Sequence, residues 1–385
     1  MRNLEHLRKF VCPEIVFGAH CHELAGTHAA NFGLRRVLLA TDAGLIKSGW
    51  VEQVAAHLAS AGLEYCVFSA ISPNPRETEV MAGTEFCRAE GCDGIVALGG
   101  GSVIDCAKGI AIALSNGQHV LEFEGVDNVA VPMPPLICIP TTAGTSADVS
   151  QFAIINHTAR RSKIAIISKA VVPDVALIDP VTLTTKDPYL TACTGMDALV
   201  HAIEAYVSTA HSPLTDLHAL AGIRLMNEHL VATVRDGQNL DLRTQTMLGS
   251  LEAGLAFSNA SLGAVHALAH SLGGRLDLPH GECNALLLEH VVADNFNAAA
   301  DRYRTIAEVM HLPTGGDDAD VCARLVAHIR ALRTDAGIGG ALRDRKVQAG
   351  DIRALAENAV NDPCLITNPR RASIDDICTI YAAAL

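Results

Sequence analysis

The sequence has few charged residues and a shortage of basic ones. Charged residues make up 18% of the 385 positions, and 29 Lys and Arg stand against 42 Asp and Glu, a formal charge of −13. A nucleic-acid-binding protein needs a basic face that displaces counterions from phosphates, so this balance excludes that class of partner. Aromatic residues reach only 4%, but 49% of residues are hydrophobic. This composition predicts a large buried core and excludes a disordered chain.

Long apolar runs and paired cysteines are also missing. No stretch approaches the roughly 18 uninterrupted apolar residues of a membrane-spanning helix. Residues 1–6 lack the charged and then apolar order of a signal peptide. The twelve cysteines are scattered without a C-x-x-C pair, so we expect reduced thiols rather than a disulfide framework. Together these absences predict a cytoplasmic protein without membrane contact.

The chain changes character near its middle. From about residue 34 to 180, short β-branched runs alternate with helix-length segments, which is typical of parallel strands joined by crossover helices. A hairpin-like pair is expected between residues 151 and 167. After residue 180 the segments are rich in Ala and Leu and of helical length. We therefore predict an α/β domain with a doubly wound, mostly parallel sheet over residues 1–180 and an all-α domain over residues 181–385.

A glycine-rich turn, Gly99 to Ser102, directly follows one predicted strand and precedes a predicted helix. Glycines allow a phosphate close to the backbone, and a helix N-terminus offers free amides, although an ordinary tight turn explains the same residues. Asp42 ends an earlier strand, where its carboxylate can accept hydrogen bonds from a ribose 2′-hydroxyl and repel a 2′-phosphate. This favours NAD over NADP, and the alternative role for Asp42 is a helix N-cap. Thr141, Thr142 and Thr145 follow a later strand and suit either phosphate and ribose oxygens or a local turn.

The second half carries a set of candidate metal ligands. Asp197 and His201 are four residues apart and share one helix face, and His266 and His270 repeat that spacing. His280 follows in a Pro-His-Gly loop. Imidazoles among Ala and Leu are costly to bury without a partner. Five such side chains predict a divalent cation, and a carboxylate with imidazoles and no thiolate suits Fe(II) or Zn(II).

These motifs, in this order, resemble the iron-containing (group III) alcohol dehydrogenases from end to end. The resemblance rests on Pro73-Asn74-Pro75, Gly99 to Ser102 with Asp105 and Lys108, Pro140 to Thr145, Thr194 to Glu204, His266 to Gly273, Pro279-His280-Gly281 and Thr367 to Arg370. It implies a dehydroquinate synthase-like architecture with an N-terminal dinucleotide-binding domain, an all-helical metal-binding domain and a catalytic cleft between them. It also implies a homodimer, which an exposed N-terminal strand near residues 13–17 could join.

The resemblance also implies a role for each matching position. The metal ligands are Asp197, His201, His266 and His280, and His270 helps to relay the proton. The cofactor contacts are Asp42, Asn74, Gly99, Gly100, Ser102, Thr141, Thr142, Thr145 and Lys163. The substrate pocket is lined by Ser150, Phe152, Phe257 and Cys364.

The expected function is hydride transfer between NAD and a small, primary alcohol or its aldehyde, dependent on a divalent metal. Asp197 and His270 are the expected catalytic residues, and an apolar pocket favours an alcohol or aldehyde over an acid. The alternative is a regulatory or sensory protein of low turnover, because Ser146-Ala147-Asp148 replaces the Gly-Ser-Glu common in the family. Glycerol-dehydrogenase-like or dehydroquinate-synthase-like chemistry is a further alternative, which the register of Asp197 and the histidines disfavours.

Overall fold

The computed structural model describes residues 9–160 and 162–385, so the segment examined for a signal peptide lies outside the described residues. The strands are β1 Glu14–Phe17, β2 Arg36–Ala40, β3 Glu64–Phe68, β4 Gly94–Gly99, β5 Gly125–Val126, β6 Leu136–Pro140, β7 Phe152–His157, β8 Ser162–Ile167 and β9 Val175–Ile178. The helices are α1 Ala25–Asn31, α2 Ala43–Lys47, α3 Trp50–Ser60, α4 Glu77–Glu90, α5 Gly101–Asn116, α6 Pro188–Val207, α7 Pro213–Arg235, α8 Leu240–Ala260, α9 Ala264–Leu276, α10 His280–Asn295, α11 Ala300–Val309, α12 Asp318–Asp335, α13 Ile352–Ala359 and α14 Ile374–Ala384.

The main sheet of the described residues contains six parallel strands in the order β1-β9-β6-β4-β2-β3. Its central strands β4 and β6 are buried at every position, as expected for a parallel sheet covered on both faces. The chain runs outward from β2 to β3 and then returns past β2 to β4. Connections therefore leave β2 and β4 in opposite directions, which opens a crevice at their carboxyl ends. The predicted doubly wound sheet is confirmed.

A smaller sheet, in the order β5-β8-β7, stands beside the main one. Strands β7 and β8 are antiparallel, with Phe152 opposite Ile167 and His157 opposite Ser162. The hairpin predicted between residues 151 and 167 is therefore present. Helix α5 packs against β7 as well as β4, so one helix touches both sheets.

The described chain beyond β9 contains no strand, and its long helices pack around α6. This helix begins with Pro188 after Asp187, whose side chain accepts a hydrogen bond from the amide of Leu190, the usual chemistry of a helix start. It is buried over nearly its whole length and packs against α7, α8 and α10. Ligand-bearing positions on α6 are therefore held inside the helical core, and the predicted all-α second half is confirmed.

Two features bear on partners. Strand β1 lies at an edge of the main sheet and pairs with β9 along one side only, as expected for the N-terminal strand. A homodimer joined through it stays a prediction.

Among residues 9–160 and 162–385, none of the helices combines the length and apolar character needed to cross a membrane.

Candidate active site

Four side chains from three helices converge where the helical half meets the sheet. Asp197 and His201 lie on α6, His266 lies on α9, and His280 is the first residue of α10. One ligand atom from each of Asp197, His201 and His266 lies within 4.8 Å of the others. Nε2 of His280 lies 3.7 Å from Oδ1 of Asp197. The structure therefore brings all four predicted metal ligands within reach of a single ion.

Two of the imidazoles are oriented by partners on their outer nitrogens. Nδ1 of His266 hydrogen-bonds to Glu204 at 2.6 Å, and Nδ1 of His201 donates to the carbonyl oxygen of Gly144 at 3.1 Å. Such contacts turn the Nε2 atoms toward the cluster and make them better ligands. Glu204 was not predicted to take part in the site, although it lies seven residues after Asp197 on the same helix face. That spacing could have identified it.

Asn284 lies among the ligands and was also missed. Its Nδ2 atom donates to Oδ1 of Asp197 at 2.6 Å and lies 3.2 Å from Nε2 of both His266 and His280. One amide nitrogen thus contacts three of the converging lone pairs. Buried, electron-rich atoms that point to a common centre are a donor set that fits a divalent cation.

The charge state of the cluster also fits a cation. Burial acts to raise the pKa of Asp197, but the imidazoles of His201, His280 and His266 hold it far below its usual value. Burial lowers the pKa of His201 to about 3. Burial also disfavours a charge on His266, but its hydrogen bonds to Asp197 and Glu204 raise its pKa to about 9. The carboxylate of Asp197 thus favours a positive charge at this centre, which a bound metal ion would supply.

His270 lies one turn after His266 and belongs to a second group of contacts. Its Nδ1 atom hydrogen-bonds to Asp362 at 2.8 Å, and its ring stacks on that of His280 with centroids 5.3 Å apart. Burial acts to raise the pKa of Asp362, but His270 holds it at about 2. An ionised Asp362 fixes the proton on Nδ1 and leaves Nε2 free to exchange a proton. Asp362, on a distant 3-10 turn, was not predicted.

The cleft at the carboxyl ends of β2, β4 and β6 extends outward from this cluster. Helix α5 begins with Gly100 as its N-cap and without a side-chain cap, so its first amides are available to a phosphate. The cleft reaches Asp197 and His280 at its inner end. Predicted cofactor contacts in its wall are Asp42, Asn74, Gly100, Ser102, Thr141, Thr142 and Thr145.

Two glycines of the turn serve packing as well as access. A Cβ atom on Gly101 would lie 2.7 Å from Oγ1 of Thr145, and one on Gly99 would lie 2.4 Å from Cβ of Val103. Real Cβ atoms do not come that close to such neighbours. Gly99 lies behind the cleft wall, where the missing side chain lets α5 start close to β4.

Asp42 takes the N-cap role that the sequence left open. Its Oδ1 atom accepts hydrogen bonds from the amides of Gly44 at 2.7 Å and Leu45 at 3.0 Å. Oδ2 takes part in neither bond, and the residue also lines the cleft. The capping role therefore holds the carboxylate at the strand end without removing it from the cofactor side.

An inner cavity of about 110 Å³ is lined by all four ligands. Three of the four predicted substrate-pocket residues, Ser150, Phe152 and Phe257, line this cavity, and so does Lys163. Their role toward a substrate stays a prediction. The Phe257 ring stacks on the ring of His201, with the two ring centroids 4.2 Å apart. Cys364 is not among the residues lining this cavity, and its thiol instead lies within 4.8 Å of the ligand atoms of His270 and Asp362.

The loop that departs from the family pattern is held by contacts of its own. Ser146 has a φ of 47°, a left-handed conformation that favours glycine. Its hydroxyl donates to the carbonyl oxygen of Ser250 on α8 at 2.7 Å. Nearby, the buried Lys108 on α5 donates to the carbonyl oxygens of Ser150 at 2.8 Å and Phe152 at 2.7 Å. The first bond fixes the loop to α8, and the Lys108 bonds fix the start of β7 to α5.

Comparison with known proteins identifies the family. The profile of the iron-containing alcohol dehydrogenases matches residues 12–180, and the profile of the C-terminal part of the same family matches residues 191–385. The chain belongs to the iron-containing alcohol dehydrogenases. The predicted family is confirmed, and this alcohol dehydrogenase is an oxidoreductase of alcohols and aldehydes.

Individual relatives cover nearly the whole chain. The 1,3-propanediol dehydrogenase of Citrobacter freundii is 40% identical over 371 residues, which cover 96% of both chains. The NAD-dependent methanol dehydrogenase of Bacillus methanolicus is 36% identical over 98% of this alcohol dehydrogenase and 99% of the relative. A crystal structure of a 1,3-propanediol oxidoreductase superposes with a TM-score of 0.96 at 38% identity, over 98% of this chain and 100% of the other. The predicted architecture is therefore confirmed as well.

Proposed function

We propose that this alcohol dehydrogenase uses NAD and a divalent metal to interconvert a small primary alcohol and its aldehyde by hydride transfer. One observation carries the proposal. The cleft that starts at Asp42 and the N-terminus of α5 ends at Asp197 and His280. Residues along the cleft would hold a dinucleotide with its nicotinamide end toward the metal-ligand cluster, where hydride would be exchanged with an alcohol.

The metal is proposed to be Fe(II), with Zn(II) as the alternative, and Asp197, His201, His266 and His280 would hold it. An ion of either kind held there would supply Lewis acidity at the substrate oxygen. Asp197 contributes negative charge and position to this set. Glu204 keeps the ring of His266 turned toward the centre.

For the cofactor, we propose that residues 1–180 form the NAD-binding domain and residues 181–385 the metal-binding and catalytic domain. Oδ2 of Asp42 would accept from the ribose hydroxyls and repel the 2′-phosphate of NADP. The free amides at the start of α5 would hold the pyrophosphate. The proposed cofactor contacts along the cleft are Asp42, Asn74, Gly100, Ser102, Thr141, Thr142 and Thr145. Lys163 is proposed to contact the cofactor from the inner cavity, and Gly99 supports the turn from behind the cleft wall.

Proton transfer and substrate choice are assigned to the inner cavity. His270 would take the proton on Nε2, since Asp362 holds its Nδ1 proton in place. Ser150, Phe152 and Phe257 are the proposed substrate-pocket residues, and Cys364, which does not line the cavity, is not proposed again. The phenylalanine walls favour a short, uncharged alcohol, which agrees with relatives named for 1,3-propanediol and methanol.

The test combines metal analysis with a substrate screen. Protein purified without oxygen is analysed for its metals and then assayed for NAD reduction with alcohols and NADH oxidation with aldehydes, with and without added Fe(II). We expect one catalytic ion per chain, turnover of short primary alcohols that depends on this ion, and preference for NAD over NADP. A metal-loaded protein that binds NAD but turns over none of the panel would instead favour the regulatory or sensory role.

A cytoplasmic location stays a prediction.

A further inference from the structure

A second group of metal-ligating side chains lies outside the active site, where the 3-10 turn Cys21–Leu24 meets α3. It consists of His22 and Glu23 on the turn and His57 on α3. One ligand atom from each lies within 4.8 Å of the others. The same limit describes Asp197, His201 and His266 in the active site. The three side chains are therefore close enough to share one ion.

The ring of His22 is oriented by a carboxylate, as the rings of metal-ligating histidines usually are. It is 3% exposed, and its Nδ1 atom lies 2.5 Å from Oδ2 of Asp179. That carboxylate also accepts from the backbone amides of His22 and Val181, so its position is fixed. A carboxylate on one ring nitrogen sets the ring orientation and strengthens the other nitrogen as a ligand. Nε2 of His22 is thus the nitrogen available to an ion.

The remaining ligands leave the site open to solution. His57 is half-buried and Glu23 is exposed, and the rings of His22 and His57 lie 5.8 Å apart, nearly perpendicular. Two imidazoles and one carboxylate form a donor set that binds Zn(II), Ni(II) or Cu(II), with water in the open position. The exposed His20, whose Nδ1 atom lies 3.6 Å from Oε1 of Glu23, can supply a further nitrogen.

We propose that His22, Glu23 and His57 form a second transition-metal site, separate from the catalytic one. An ion there would join the turn to α3. Through Asp179 it would also hold the 3-10 segment Pro180–Thr185, which leads into α6. Trp50 closes the same corner, with its ring 5.4 Å from that of His22 and its Nε1 atom donating to Oγ1 of Thr185 at 3.1 Å. The bound ion would therefore stabilise the connection between the two halves of the chain.

Trp50 is the one tryptophan in the sequence, and its fluorescence reports on this corner. Cu(II) or Ni(II) is titrated into the full-length protein while tryptophan emission is recorded, and Zn(II) is then added as a competitor that does not quench. We expect saturable quenching with one ion per chain, reversal by Zn(II), and a rise in melting temperature with Zn(II). The substitutions His57→Gln and Glu23→Gln should each lower the affinity for the ion at least about tenfold. Alcohol turnover should be unchanged in both variants.

Two controls separate this site from other histidines and from the catalytic metal. The His28→Gln variant, changed on the neighbouring α1, should show the same metal-induced quenching of tryptophan emission as the unchanged protein. His266→Ala, which removes a catalytic ligand, should also keep the quenching. Quenching that is equal in the protein and in both His57→Gln and Glu23→Gln, or that is lost in His266→Ala, would overturn the proposal. A His266→Ala protein that retains both its catalytic metal and the quenching would count against the proposed catalytic ligands alone.

Discussion

The two ends of the active-site cleft are built from different parts of the chain. The outer end consists largely of backbone, namely strand ends, the first amides of α5 and glycines in close contact with their neighbours. The inner end consists of side chains, such as His266, whose ring is held from behind by Glu204. An added methyl group should therefore harm the outer end most, and a removed side chain should harm the inner end most. The following predictions test this difference.

The largest effect is expected from His266→Ala. The change removes an imidazole and leaves the carboxylates of Asp197 and Glu204 buried without their positive partner. Metal retention and turnover should be lost together, as measured by elemental analysis and kcat. His211→Ala, which removes a partly exposed histidine bonded to Asp216, is the control and should retain both. A His266→Ala protein with full metal content and turnover would refute the ligand assignment.

Gly101→Ala should damage the outer end while leaving the metal in place. The new Cβ would lie 2.7 Å from Oγ1 of Thr145, and relief of such a contact costs about 1–3 kcal/mol. We expect NAD to bind about 10- to 100-fold more weakly, measured by titration of the metal-loaded protein. Gly350→Ala is the matched control, because its Cβ would have nothing within 4 Å. Unchanged NAD affinity in Gly101→Ala would contradict a backbone-built cofactor site.

The Glu204→Gln substitution tests how the inner end depends on the residue behind His266, because glutamine keeps the shape of glutamate and removes its charge. The amide can no longer hold His266 with a negative charge, and metal affinity should fall about 10- to 100-fold with NAD affinity unchanged. Glu252→Gln provides the control, since Glu252 hydrogen-bonds to Nδ1 of His218 at 2.6 Å away from the cluster. Competition with a chelator measures both variants. Equal losses in the two would point to general destabilisation instead.

The smallest effect is expected from Asp42→Asn. Asparagine caps a helix about as well as aspartate, so the melting temperature should hardly change. Removal of the charge that faces a 2′-phosphate should shift the ratio of kcat/KM for NAD over NADP by about tenfold toward NADP, or about 1.4 kcal/mol. A variant with an unchanged ratio would leave Asp42 with its capping role only.

Local spacing explains which parts of the site could be predicted. Asp197 and His201 were found because a helix places residues four apart on one face, and the strands were found because parallel strands buried on both faces read as apolar runs. Asn284 lies four residues after His280 and contacts its Nε2 atom, so the same spacing could have identified it. Asp362 escaped because it meets His270 across 92 residues, and the bond from Asn284 to Asp197 likewise crosses 87 residues. Such contacts follow from helix packing, which no short pattern encodes.

The Ser146 hydroxyl bond to Ser250 has a consequence for motion. It links a loop of the sheet half to α8 of the helical half, so it joins the two halves directly. If the halves hinge apart to admit the dinucleotide, that bond must break or stretch. A chain with glycine at position 146 has no hydroxyl to make this hydrogen bond. Its two halves would separate without the free energy needed to break it.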